Sequence, residues 1–178
     1  MTRAQRTIGS LGVLLLALVV GTANAQPQFT GTWVLDRAQS QLPNRGGHGK
    51  GAADPQAQPS EVKLIVEQQG NMLKATRSVA RGPRERAMSE TFVADGSERT
   101  ETTPRGGTSV TKATLGGDRL VVNKTHTRPA KEPGQPARSF SRDSVWTLSG
   151  DGRTLTIDTT MHTPRGDRTM KSVFTKTS

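Results

Sequence analysis

From Ser60 to its end the chain is a run of short segments rich in Thr, Val, Leu and Ser, each closed by a Gly, Asn or Asp turn. No other feature limits the fold as much. SEVKLIVEQQ (Ser60 to Gln69) alternates, with Val62, Leu64 and Val66 on one face and Glu61, Lys63 and Glu67 on the other, the period of a half-buried strand. Gly70-Asn71 turns it into MLKATRSVA, and Asp95-Gly96 parts RAMSETFV from SERTETT. Gly106-Gly107 precedes SVTKATL, and Gly116-Gly117-Asp118 leads into RLVVNKTHT. Gly150-Asp151-Gly152 joins SRDSVWTLS to RTLTIDTTMHT, and Gly166-Asp167 opens RTMKSVFTK. Such turns supply the positive φ values that tight hairpins need. With GTWVL near the start, about ten strands are predicted, at the spacing of an all-β barrel or sandwich.

Helix signals are weak, and the single candidate for a helical turn is DRAQSQ, Asp36 to Gln41. Two segments break the strand rhythm. Residues 44–59 (NRGGHGKGAADPQAQP) are rich in Gly, Pro and Gln and predict a flexible surface loop, and RPAKEPGQPA (Arg128 to Ala137) predicts a Pro-rich hairpin tip.

The N-terminus has the form of a cleaved signal peptide. Arg3 and Arg6 precede an apolar run from Ile8 to Val20, and Ala23-Asn24-Ala25 supplies the small residues at which such a segment is cut. The run is shorter than a membrane span requires. Residues 1–25 are therefore expected to be removed, leaving a single domain at 26–178 that is periplasmic or secreted and spans no membrane. There is no cysteine, so no disulfide braces the fold and packing and hydrogen bonding must suffice.

The formal net charge is +10, and loss of the first 25 residues lowers it to about +8. Arg77, Arg81, Arg84 and Arg86 cluster in one stretch. This balance allows contact with an anionic partner or, more plainly, a basic solvated surface. Nucleic acid is not expected, because tyrosine is absent and phenylalanine and tryptophan are scarce, leaving few rings on which bases could stack.

Signals for catalysis are missing. His48, His126 and His162 have none of the spacings of common metal sites. No G-x-S-x-G elbow occurs, and GGHGKG (Gly46 to Gly51) lacks the spacing of a phosphate-binding loop. No cofactor, metal or enzymatic activity is expected.

The stretch FTGTW (Phe29 to Trp33), followed by a meander of about ten strands, resembles the calycins, the group of lipocalins and intracellular fatty-acid-binding proteins. With the later hairpin DGRTLT (Asp151 to Thr156), it looks closest to lipocalin-like domains of small exported bacterial proteins. The resemblance implies an up-and-down antiparallel barrel of about 8–10 strands. In it Gly31 and Trp33 form the base, under a basic side chain such as Lys171 or Lys176. Two departures limit what it implies. The helical lid of fatty-acid-binding proteins has no counterpart in the Gly/Pro-rich loop. Their C-terminal Arg-x-Tyr clamp is matched by Ser172-Val173-Phe174, so the carboxylate clamp does not carry over.

In such a barrel the apolar faces weaken toward one end: Leu120 and Val122 give way to Lys124 and His126. This reads either as a cavity open at that end or as strand ends standing in solvent. The pocket candidates are Leu64, Val66, Met72, Phe92, Leu120, Val122, Phe140, Trp146, Ile157 and Met161. The expected function is binding of a small hydrophobic or amphipathic molecule. The alternative is a cell-envelope interaction module that uses its basic surface on an anionic component.

Overall fold

The computed structural model describes residues 27–42 and 61–178, apart from Arg105, Lys131 and Pro133. The expected signal peptide and the whole 44–59 loop lie outside the described residues.

Ten strands form one antiparallel sheet: β1 (Gly31–Gln41), β2 (Glu61–Gln69), β3 (Met72–Arg81), β4 (Arg84–Val93), β5 (Asp95–Thr102), β6 (Thr108–Gly116), β7 (Arg119–Arg128), β8 (Arg138–Leu148), β9 (Thr154–His162) and β10 (Arg168–Lys176). Their order in the sheet is β4-β3-β2-β1-β10-β9-β8-β7-β6-β5. Apart from β4 and β5, strands consecutive in the chain pair with each other, and β1 meets β10. The fold is an up-and-down barrel, nearly closed. The exception to closure lies between β4 and β5, which are consecutive in the chain yet stand at the two ends of the sheet.

Turn chemistry sets the hairpins. Gly70, Gly117 and Gly152 have φ of 58°, 62° and 65°, which L-residues with a Cβ adopt at a cost. At the β4–β5 corner Ala94 N donates to Asn71 O (2.7 Å), and Leu115 N donates to Ala94 O (3.3 Å). One residue thus ties the two sheet edges together at the base.

The core fills the end that holds the β2–β3, β4–β5, β6–β7 and β8–β9 connections. Trp33, Phe29, Leu73, Leu120 and Leu155 are fully buried there, with Phe174, Val66 and Val122 nearly so. Trp33 Nε1 donates to Phe29 O at 3.0 Å, so the indole is buried without an orphaned donor.

The segment Asp36 to Gln41 is an irregular continuation of β1 rather than a helical turn, with the register against β10 shifting between Asp36 and Gln41. Asp36 Oδ1 accepts from Ala38 N (2.9 Å) and Gln39 N (3.2 Å). An Asx turn of this kind uses the same side-chain-to-backbone bonds as a helix N-cap, which is why the sequence suggested helix.

Candidate ligand-binding site

The inward face of the barrel changes character along its axis. At the level of the base, Trp146 is the hub: its ring meets Phe92 edge-on at 6.1 Å and Phe29 edge-on at 6.2 Å. Leu120 and Ile157 are its partners in the flanking strands. Two residues farther along β8 the interior becomes polar, and Ser144 Oγ lies 3.2 Å from Thr159 Oγ1, both residues buried.

One step beyond, a charged group crosses the interior. Glu90 on β4 accepts from Arg142 Nη2 on β8 at 2.9 and 3.2 Å and from Lys124 Nζ on β7 at 3.2 Å. Burial alone would raise the Glu90 carboxyl, but the two cations more than offset it and hold it below its ordinary value. β4 has no ladder to β5, so this ion cluster and the Phe92–Trp146 contact hold the free edge of β4 across the gap.

A cleft of about 240 Å³ opens along that gap, lined by Glu90, Phe92, Arg99, Thr111, Ala113 and Lys124 among others. Its lining is mostly polar and charged, with Phe92, Val93 and Ala113 as the apolar members. Arg99 is committed to Asp95 through two hydrogen bonds, Nη1 to Oδ1 at 3.0 Å and Nη2 to Oδ2 at 2.9 Å. Ser109, on the same inward alternation of β6 as Thr111 and Ala113, is 3% exposed and its Oγ has no hydrogen-bond partner. A buried hydroxyl without a partner calls for an explanation such as a water or a ligand atom.

Nearer the mouth, His126 stacks on Phe140 with ring centroids 4.9 Å apart, and the Arg128 guanidinium lies 5.4 Å from the Phe140 centroid. Burial, then Lys124 and Arg142, push the His126 imidazole below its ordinary value.

Among the ten apolar residues singled out from the sequence, Leu64, Val66, Phe92, Leu120, Val122 and Trp146 are buried in the core, and Ile157 packs against it half-buried. They form the floor; of these, Phe92 also lines the cleft. Phe140 and Met161 are half-buried farther up. Met72 is a correction. It is 45% exposed, because Leu73 takes the first inward position after the β2–β3 turn and the alternation sends Met72 outward. Gly31 and Trp33 stand at the base, and Lys176, not Lys171, covers the ring, its Nζ 5.4 Å from the indole centroid.

His126 and His162 lie on opposite faces of the wall and do not meet. His162 stands outside, between Asp143 Oδ2 (3.0 Å from Nε2) and Asp167 Oδ1 (2.9 Å from Nδ1), and these two carboxylates raise its pKa. Among the described residues, no group of three or more His, Cys, Asp or Glu side chains could hold a metal ion.

No protein-family model matches the sequence, and no curated protein does. Solved structures do resemble it. A zebrafish ileal bile acid-binding protein complexed with cholic acid aligns with a TM-score of 0.53 at 14% identity, over 84% of this chain and 98% of that one. Lipid binding protein 8 of Caenorhabditis elegans gives 0.53 at 14%, over 84% and 95%. The REP1-NXSQ fatty acid transporter gives 0.52 at 12%, over 84% and 96%. The barrel is a fatty-acid-binding-protein-like fold. At these identities the likeness concerns the fold.

Proposed function

We propose that this barrel binds one small hydrophobic or amphipathic molecule, holding its apolar part over the Phe92–Trp146 floor and its polar part among Glu90, Lys124 and Arg142. The observation that carries the reading is this graded interior beside an open cleft. Concave sites with an apolar floor and a few converging polar groups are the usual form of small-molecule pockets. The three solved structures named above are a fatty acid transporter, a bile acid-binding protein and a lipid binding protein, which supports the same class of cargo. Reading residues 1–25 as a signal peptide supports a site of action in the periplasm or outside the cell. Binding, rather than catalysis, is the role.

A second reading has one observation in its favour. Arg81, Arg84, Arg86, Arg128 and Arg138 are all exposed on the hairpins at the end remote from Trp33, and such a rim suits an anionic envelope component.

Native mass spectrometry of the mature protein from its own cell envelope, at low and at physiological salt, separates the two. Cavity cargo stays bound at both salts. A bare protein that carries anionic polymer only at low salt assigns the function to the rim.

A further inference from the structure

We infer that Glu90 makes the interior selective for amphiphiles whose polar end is uncharged, such as an alcohol, ester or monoacylglycerol, by occupying from within the place on Lys124 and Arg142 that a ligand carboxylate would take. The inference rests on the reading of the barrel as a binder and names its ligand class.

The geometry is specific. Both oxygens of Glu90 are engaged by Arg142, and Oε1 also by Lys124. Glu90 lies two residues before Phe92 on the same alternation, so its carboxylate sits directly above the apolar floor where a bound chain would end. The third cation on the cleft wall, Arg99, is occupied by Asp95, while a second carboxylate, Glu101, also lines the cleft. Lys124 and Arg142 are thus both committed to Glu90.

A ligand carboxylate entering this group must displace Glu90, leaving it partly buried without partners, or add a second negative charge beside it; both are costly. An uncharged head meets no such penalty. It finds the Thr111 hydroxyl on the cleft wall, with Ser109 Oγ buried and without a partner two residues away on the same alternation of β6, and a hydroxyl or ester oxygen can bond to such groups. Sites built around unpaired neutral polar groups discriminate strongly by whether the ligand supplies the missing partner.

Titration calorimetry of the mature protein with 1-decanoylglycerol and with decanoate, at neutral pH and below micelle formation, tests this. The wild type is expected to bind decanoylglycerol at least about tenfold more tightly than decanoate. Glu90→Gln, which frees both cations, should tighten decanoate by about tenfold, so that the preference for decanoylglycerol narrows or reverses. Equal or tighter binding of decanoate by the wild type overturns the inference and leaves the binder reading intact. So does a folded Glu90→Gln that gains nothing for decanoate. If the folded wild type binds neither probe, the binder reading fails and takes the inference with it. The wild-type comparison decides the matter even where the variant does not fold.

Discussion

Lys176 and Trp33 are cross-strand partners at the base of the barrel, the ammonium 5.4 Å from the centroid of an indole with no exposed surface. The pair closes one end of the wall: the last strand supplies the cation, the first supplies the ring, and the Phe29 carbonyl accepts the indole N–H. The cation adds to what burial already provides, since a contact of this kind contributes about 0.5–1 kcal/mol near a surface.

Trp33→Ala removes the largest fully buried side chain and should destabilise the protein by about 3–5 kcal/mol. Urea unfolding followed by far-UV circular dichroism measures this. A loss below about 1 kcal/mol would mean that the base does not depend on the ring.

Gly31→Ala should also destabilise, by about 1–3 kcal/mol. Gly31 has φ of 150°, and a Cβ there would stand 2.7 Å from the Ser178 carbonyl oxygen. Gly82 has φ of 56° with nothing within 4 Å of such a Cβ, so Gly82→Ala pays only the conformational cost and should lose less. Equal losses in the two variants would show that the contact with the C-terminus is not felt.

Glu90→Ala should cost about 1–2 kcal/mol at neutral pH, less than breaking a fully buried pair because the carboxylate is about a third exposed. The folded-state pKa of Glu90 lies below its ordinary 4.5. Its stabilisation is thus complete above that value and is lost as pH falls through the folded-state pKa. Chemical unfolding of wild type and Glu90→Gln at a series of pH values should give curves that converge on the acid side. A constant offset would mean that the ionised form is not what stabilises β4.

The two strand histidines should titrate on opposite sides of the ordinary 6.5. His162, raised by Asp143 and Asp167, favours folding below 6.5, and that contribution disappears as pH rises through its folded-state value. His126 is depressed, so its contribution is present above 6.5 and lost as pH falls through its folded-state value. Nuclear magnetic resonance titration of the ring protons, assigned with His126→Gln and His162→Gln, reads both. A His126 that titrates above His162 would contradict the placement of the two rings.

Much of the fold is legible in the chain because its determinants are local. Alternation in SEVKLIVEQQ and the Gly-containing turns specify strands and hairpins one at a time, and in a meander each strand pairs with its neighbours. Phase at strand starts is less legible. Met72 and Leu73 are adjacent and both apolar, and only the turn geometry decides which one points inward. Least legible is the charged cluster. Glu90 shares its alternation with Phe92, so its inward direction could be inferred, but its partners lie 34 and 52 residues away on strands that never pair with β4. Nothing in a local pattern signals a contact made across a gap. Lys124, seen in sequence as the point where an apolar face weakens, is in the structure one half of a clasp.

Because β1 pairs with β10, and Thr32 N donates to the carbonyl of Ser178 at 2.7 Å, the first strand to leave the ribosome has to wait for the last. A nascent chain lacking its final ten residues has no partner for one edge of β1 and no cation over Trp33. Closure is then the most non-local event of folding, the kind that slows it most, and the barrel should acquire its cooperative stability only once β10 is available to β1.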